Sequence, residues 1–206
     1  MHHRAAAPAA VVLAFMLSTP GLISAARAVR SDDPLLASVR SDNGRILEVL
    51  AYAIQKSPSF RDLLATLNLF DRTVYIEEGH CGRGREHACV QVMPTPGGRN
   101  LLVHVNPRLQ SDLVVAQLAH ELYHAIEIAR EPDVVDSASL RALYQRIGER
   151  SCSYDSDDCW ETRAAVAFEA LVRRQLHGGT SIRVSIPDWT QRPIVQWKAA
   201  ENRSRS

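Results

Sequence analysis

Lysine is nearly missing from this chain of 206 residues: Lys56 and Lys198 stand alone among 24 basic residues. We read the skew towards arginine as genome composition rather than chemistry. Arginines and lysines nowhere form a continuous basic stripe, which argues against nucleic acid or an anionic membrane as a partner. Long hydrophobic runs are lacking as well. The apolar run at 9–17 falls short of the roughly 20 residues that a bilayer demands, and no later segment reaches that length. No internal repeat or low-complexity tract follows the N-terminus. A hydrophobic share of 46% and a charged share of 23% are those of an ordinary globular protein, and the length suits one domain with a sizeable core.

What is present begins with a leader. Met1-His-His-Arg4 is basic-leaning, 9–17 is a compact apolar stretch, and small residues follow through Ser24-Ala25-Ala26-Arg27-Ala28. Both Ser24-x-Ala26 and Ala26-x-Ala28 fit a leader-peptidase site, so residues 1–28 are expected to be a signal peptide. The rival is a buried N-terminal helix or a retained anchor. Loss of 1–28 removes Arg4 and Arg27 and no acid, which leaves 22 basic against 23 acidic residues and a formal charge of −1. The expectation is an exported bacterial protein, periplasmic or secreted, with no membrane span in the mature chain.

Four cysteines fall into two local pairs. In an exported chain they read as disulfides, Cys81–Cys89 and Cys152–Cys159, each closing a short polar or glycine-rich loop. Short loops hold little chain entropy, so each bridge stabilises less than a long-range one. For the first pair a structural metal site with His80 and His87 is the rival, although the usual closely spaced CxxC pairs are absent.

Hydrophobic period and stop signals predict helices at 45–55 and 60–69, a strand at 73–77, and two strands, 89–93 and 100–105, joined by a Pro/Gly turn. Helices follow at 109–130, 137–147 and 160–176, with a strand-like piece at 182–186 in a charged tail. Residues 29–43 read as an irregular lead-in. The sum is α+β: one domain over 29–206, with its core at about 45–180 and its tail at 181–206, in which a small antiparallel sheet packs against a buried helix. That helix, 109–130, carries apolar residues on every face, the mark of an interior position.

Inside it lies His120-Glu121-Leu122-Tyr123-His124, an HExxH pattern. Residues four apart share a helical face one turn apart, so two imidazoles can bind one ion. The adjacent Glu121 can accept the proton of a water that zinc acidifies towards pKa ~7. Two core histidines four apart by accident are the bland alternative, but burying two imidazoles and a carboxylate without a common task costs several kcal/mol. Catalytic zinc takes a third protein ligand. Arg130 stands where a metzincin has its third histidine, so a downstream carboxylate is needed. Glu161, expected to open the last helix, is favoured over Glu169, and Glu127 sits on the metal helix itself.

The sequence from His120 to Ala125, followed by Glu161-Thr-Arg-Ala164, resembles the gluzincin pattern of HExxH plus ExxA. It is also similar to small bacterial secreted proteins with HELxHAxE and a later ExxAA helix. The resemblance covers about residues 101–176. It implies a zincin-like domain, one Zn2+ per chain held by His120, His124 and Glu161, and Glu121 as general base in the hydrolysis of peptide or protein substrates. Thermolysin-type members carry an acid four residues after the ligand glutamate to orient a histidine. Here that position is Ala165, so Glu127, Asp155, Asp157 or Asp158 must do so. Tyr144, Tyr154 and His177 are candidates to stabilise the transition state. Strand 100–105 is the expected substrate-binding edge, with His104 as a half-buried sheet residue. A non-catalytic zinc domain that binds or builds is the alternative from another class.

Overall fold

The computed structural model describes residues 33–80, 88–151 and 160–178. Asp33 caps a single 3-10 turn, Pro34–Leu36, by accepting from the Leu35 amide at 2.9 Å. Strand β1 (Val39–Arg40) follows. The lead-in is therefore more than irregular: it supplies a strand, and Leu36 and Val39 join the buried core.

Asn43 caps α1 (Gly44–Lys56), accepting from the amides of Arg45 and Ile46. Ile46, Val49, Leu50 and Ala53 make its buried stripe at helical spacing. Ser57 ends α1 and caps α2 (Pro58–Leu67), with Pro58 at a first-turn position where its missing N–H costs nothing. Strand β2 (Val74–Glu78) alternates Val74 and Ile76 inward with Tyr75 and Glu77 outward. The hairpin β3 (Ala88–Thr95) and β4 (Gly98–Val105) turns at Pro96-Gly97. Gly98 closes it at φ 137, a conformation that a side chain would strain.

The sheet order is β1-β2-β4-β3. The pairs β1/β2 and β2/β4 are parallel and only β3/β4 is antiparallel, so the sheet is mixed and the expected antiparallel sheet is corrected. The parallel β1/β2 pair needs a crossover, and α1 and α2 provide it. Strand β4 lies between β2 and β3. Residues 100–105 are thus interior, and among the described residues β3 is the edge beside them.

Helix α3 (Ser111–Ala129) packs against α1, α2, β3, β4 and α5. Every residue from 118 to 126 is buried. Arg99, itself 3% exposed, clamps its C-terminal end: the guanidinium donates to the carbonyls of Ile128 at 2.6 Å, Pro132 at 3.2 Å and Val134. Those are carbonyls at the helix end and in the turn beyond it, and a cation there also suits the helix dipole.

A capping box at Asp136 and Ser139 opens α4 (Ser137–Ile147). Strand β5 (Glu149–Arg150) then pairs with β6 (Trp160–Glu161), and α5 (Arg163–Leu176) follows. The fold is α+β around one hydrophobic cluster. No helix among the described residues is long and apolar enough to cross a membrane. The strand-like piece 182–186, the leader 1–28, and Cys81, Cys152 and Cys159 lie outside the described residues. Cys89 is disulfide-bonded, which removes it as a thiolate ligand in the rival metal site.

Candidate metal centre

His120 and His124 project from the same face of α3, with Nε2 atoms 3.1 Å apart. Glu161 brings Oε2 to 2.7 Å from the first and 3.3 Å from the second. All three candidate ligand atoms lie within 4.8 Å of one another, a group able to hold a metal ion. Ligand bonds of about 2.0–2.1 Å around a tetrahedral ion give edges of about 3.3 Å. Two of the separations, 3.1 and 3.3 Å, are close to that length, and the third, 2.7 Å between His120 and Glu161, is a hydrogen bond that would open by about 0.6 Å around an ion.

Glu161 reaches the site from a strand, not from the first turn of a helix as the sequence suggested. Its residue pairs with Glu149 across β5/β6, and Thr162, the next residue, is the N-cap of α5. Gly148, between α4 and β5, makes this junction tight. A Cβ there would stand 2.8 Å from the Tyr144 carbonyl oxygen and 3.2 Å from that of Glu161.

Each histidine meets a second carboxylate on its other ring nitrogen. His124 Nδ1 donates to Glu127 Oε2 at 2.7 Å. Glu169 Oε2 lies 3.2 Å from His120 Nδ1, an ion-pair distance outside hydrogen-bond alignment. Glu169 therefore stands behind His120, on the nitrogen turned away from Glu161, and outside the group of three close ligand atoms. Of the candidate orienting acids, Glu127 is the one seen against a ring nitrogen among the described residues. Its other oxygen, Oε1, accepts from the Thr162 hydroxyl at 2.8 Å.

Glu121 is buried alongside, 8% exposed. Four carboxylates thus crowd two imidazoles. Burial by itself lowers the His120 pKa, but contacts with Glu161 and Glu169 and the charge of Glu121 reverse this and raise it to about 10. Burial likewise opposes charge on His124, and Glu127, Glu161 and the Glu121 charge raise its pKa to about 9. For Glu161 burial pushes upward while the two histidines pull it down to about 2. The four carboxylates outnumber the two imidazoles, so the pocket carries an excess of negative charge that suits a cation, and imidazole and carboxylate are both donors that a metal ion accepts.

Tyr144 packs edge-on against His124, ring centroids 5.1 Å apart, and its hydroxyl is buried with no hydrogen-bond partner among the described residues. Burial first, then the charges of Glu127, Glu121 and Glu161, hold that phenol well above its ordinary pKa, so it stays a donor. His177 is elsewhere: it is largely exposed and pairs with Asp112 at the opposite end of α3, 3.6 Å away. Tyr154, Asp155, Asp157 and Asp158 lie outside the described residues. His104 is half-buried on the outer sheet face, as expected, with its ring against Gly79. The sequence reading passed over Thr162, although a threonine opening a helical stretch is a recognisable cap signal.

Compared with family models, curated proteins and solved structures, the chain matches none.

Proposed function

We propose that this chain is an exported zinc metallopeptidase with a zincin-like, gluzincin-type site. The convergence of His120 Nε2, His124 Nε2 and Glu161 Oε2 within 4.8 Å carries the reading. His120, His124 and Glu161 hold one Zn2+, which when bound supplies a Lewis acid and lowers the pKa of water. Glu121, next to His120 on the buried helix, is the general base. Glu127 and Glu169 keep the Nδ1 sides of the imidazoles engaged, so that the Nε2 lone pairs face Glu161. The Tyr144 hydroxyl, a buried donor without a partner among the described residues, is suited to a substrate oxygen that gains negative charge.

Among the described residues β3 is the edge strand and packs on α3, so its outer side is suited to pair with an extended peptide, a role that interior β4 cannot take. The disulfide at Cys89 suits an oxidising compartment, in keeping with a leader at 1–28 and with pairs Cys81–Cys89 and Cys152–Cys159. The test is Glu121→Gln in the mature, disulfide-formed protein with a peptide library as substrate. Zinc content should stay at wild-type level while turnover drops by a factor on the order of 10²–10⁴. Undiminished turnover in that variant removes Glu121 from the chemistry. No turnover by the zinc-loaded wild type on any peptide supports a non-catalytic zinc domain instead.

A further inference from the structure

We propose that Thr162 is a positioning residue for the metal centre, whose single hydroxyl sets both the start of α5 and the orientation of His124. The inference rests on the metal-site reading above and adds to it a residue outside the HExxH and ExxA patterns.

Thr162 is 5% exposed and follows Glu161 directly. Its Oγ1 accepts from the Ala165 amide at 3.1 Å, the bond of a helix N-cap. The same oxygen donates its proton to Glu127 Oε1 at 2.8 Å. The other carboxylate oxygen, Oε2, accepts from His124 Nδ1 at 2.7 Å. The bonds converge on the carboxylate: Ala165 N–H donates to the Thr162 hydroxyl, that hydroxyl donates to Glu127 Oε1, and His124 Nδ1–H donates to Glu127 Oε2 from the other side. A hydroxyl that is already accepting is polarised into a better donor.

This arrangement does two things that neither half does alone. It fixes the His124 hydrogen on Nδ1, which leaves Nε2 for the ion. It also ties α3, source of both histidines, to the first residue after β6, source of Glu161. The three candidate ligands come from two elements, and Thr162 sets their register at the point where those elements meet. Glu127 gains further from lying at the N-terminal end of α5, where the helix dipole favours a negative charge.

Substitutions separate capping from positioning. Serine keeps both functions. Asparagine keeps the cap and retains an N–H donor. Aspartate is as good a cap but cannot donate to Glu127, and it places a second negative charge against that carboxylate. Valine loses both functions. Two readouts apply to each folded variant. One is zinc affinity by competition with a chelator. The other, taken on metal-free protein, is the His124 Nδ1–H resonance in 15N-edited NMR, slow to exchange in the wild type because it is buried and bonded to Glu127.

The expected result is wild-type behaviour in Thr162→Ser. Thr162→Asp should bind zinc roughly 10–100-fold more weakly and lose the protected Nδ1–H resonance, with a lower melting temperature because its charge is buried beside Glu127. Thr162→Val should show the same two losses together with a lower melting temperature. Equal zinc affinity and an intact resonance in Thr162→Asp or Thr162→Val overturn the proposal and leave Thr162 a helix cap. If the wild type binds no zinc, the metal reading fails by itself, and the metal-free resonance still decides whether Thr162 positions His124.

Discussion

The charge states of His120 and His124 would differ between the metal-free protein and one holding the proposed ion. Without the ion, contacts with Glu161, Glu169 and Glu127 outweigh burial and raise their pKa values from the ordinary 6.5 to about 10 and about 9. A raised pKa stabilises the fold fully below pH 6.5, and that contribution is lost as pH climbs through about 9 to 10. Glu161, lowered from 4.5 to about 2, contributes above pH 4.5 and loses its contribution as pH falls towards 2. The metal-free protein should therefore melt highest between about pH 4.5 and 6.5. Zinc binds the neutral imidazoles and should displace protons, so the loaded protein keeps its stability into alkaline pH. Melting temperature against pH, with chelator and with zinc, checks this. A metal-free melting temperature that climbs steadily from pH 6.5 to 9 contradicts the assigned charge states.

At the scale of elements, the critical piece is the short β5/β6 pair that delivers Glu161. Gly148 turns α4 into β5 with no room for a side chain, since a Cβ would lie 2.8 Å from one backbone oxygen and 3.2 Å from another. Both are backbone atoms and cannot swing away. Gly148→Ala should cost about 1–3 kcal/mol by overpacking, and should weaken zinc binding through the displaced Glu161. Chemical denaturation with a parallel zinc titration reads both effects, and unchanged values in both place the strain elsewhere. The same pair shows where the sequence stopped being legible. Helix α3 announced itself by its all-round apolarity and α4 by its matching ends, because period and caps are local signals. β6 is two residues long and exists only because Glu149 and Arg150 pair with it, a long-range fact that no local pattern carries. β1 escaped notice for the same reason. Strand 100–105 was visible as a strand, but its interior place depends on parallel pairing with β2. That His120 and His124 share a face could be read from their spacing, and Glu161 was one of two downstream acids expected beside them. The separate tasks of Glu169 and Glu127 could not, since both depend on which ring nitrogen each carboxylate meets.

Across the whole molecule, the site is where independent parts of the fold converge. α3 brings the histidines, Glu121 and Glu127; β6 brings Glu161; α5 brings Glu169; α4 brings Tyr144. An ion bound at that meeting point stabilises the native state alone, by about 4 kcal/mol at a thousandfold excess over its dissociation constant. For a chain of this size that corresponds to roughly 8–16 °C in melting temperature. Glu161→Ala should forfeit most of the zinc-dependent part, whereas Glu121→Gln should keep it, because Glu121 is assigned to proton transfer and not to holding the ion.

The most direct test is zinc per chain, measured by elemental mass spectrometry on the mature disulfide-formed protein and on Glu161→Ala after dialysis against a limited zinc supply. The account predicts one zinc per wild-type chain and a clear loss in Glu161→Ala. A wild type that holds no zinc even when supplied with it contradicts the account and makes His120, Glu121, His124 and Glu161 a polar cluster of the core.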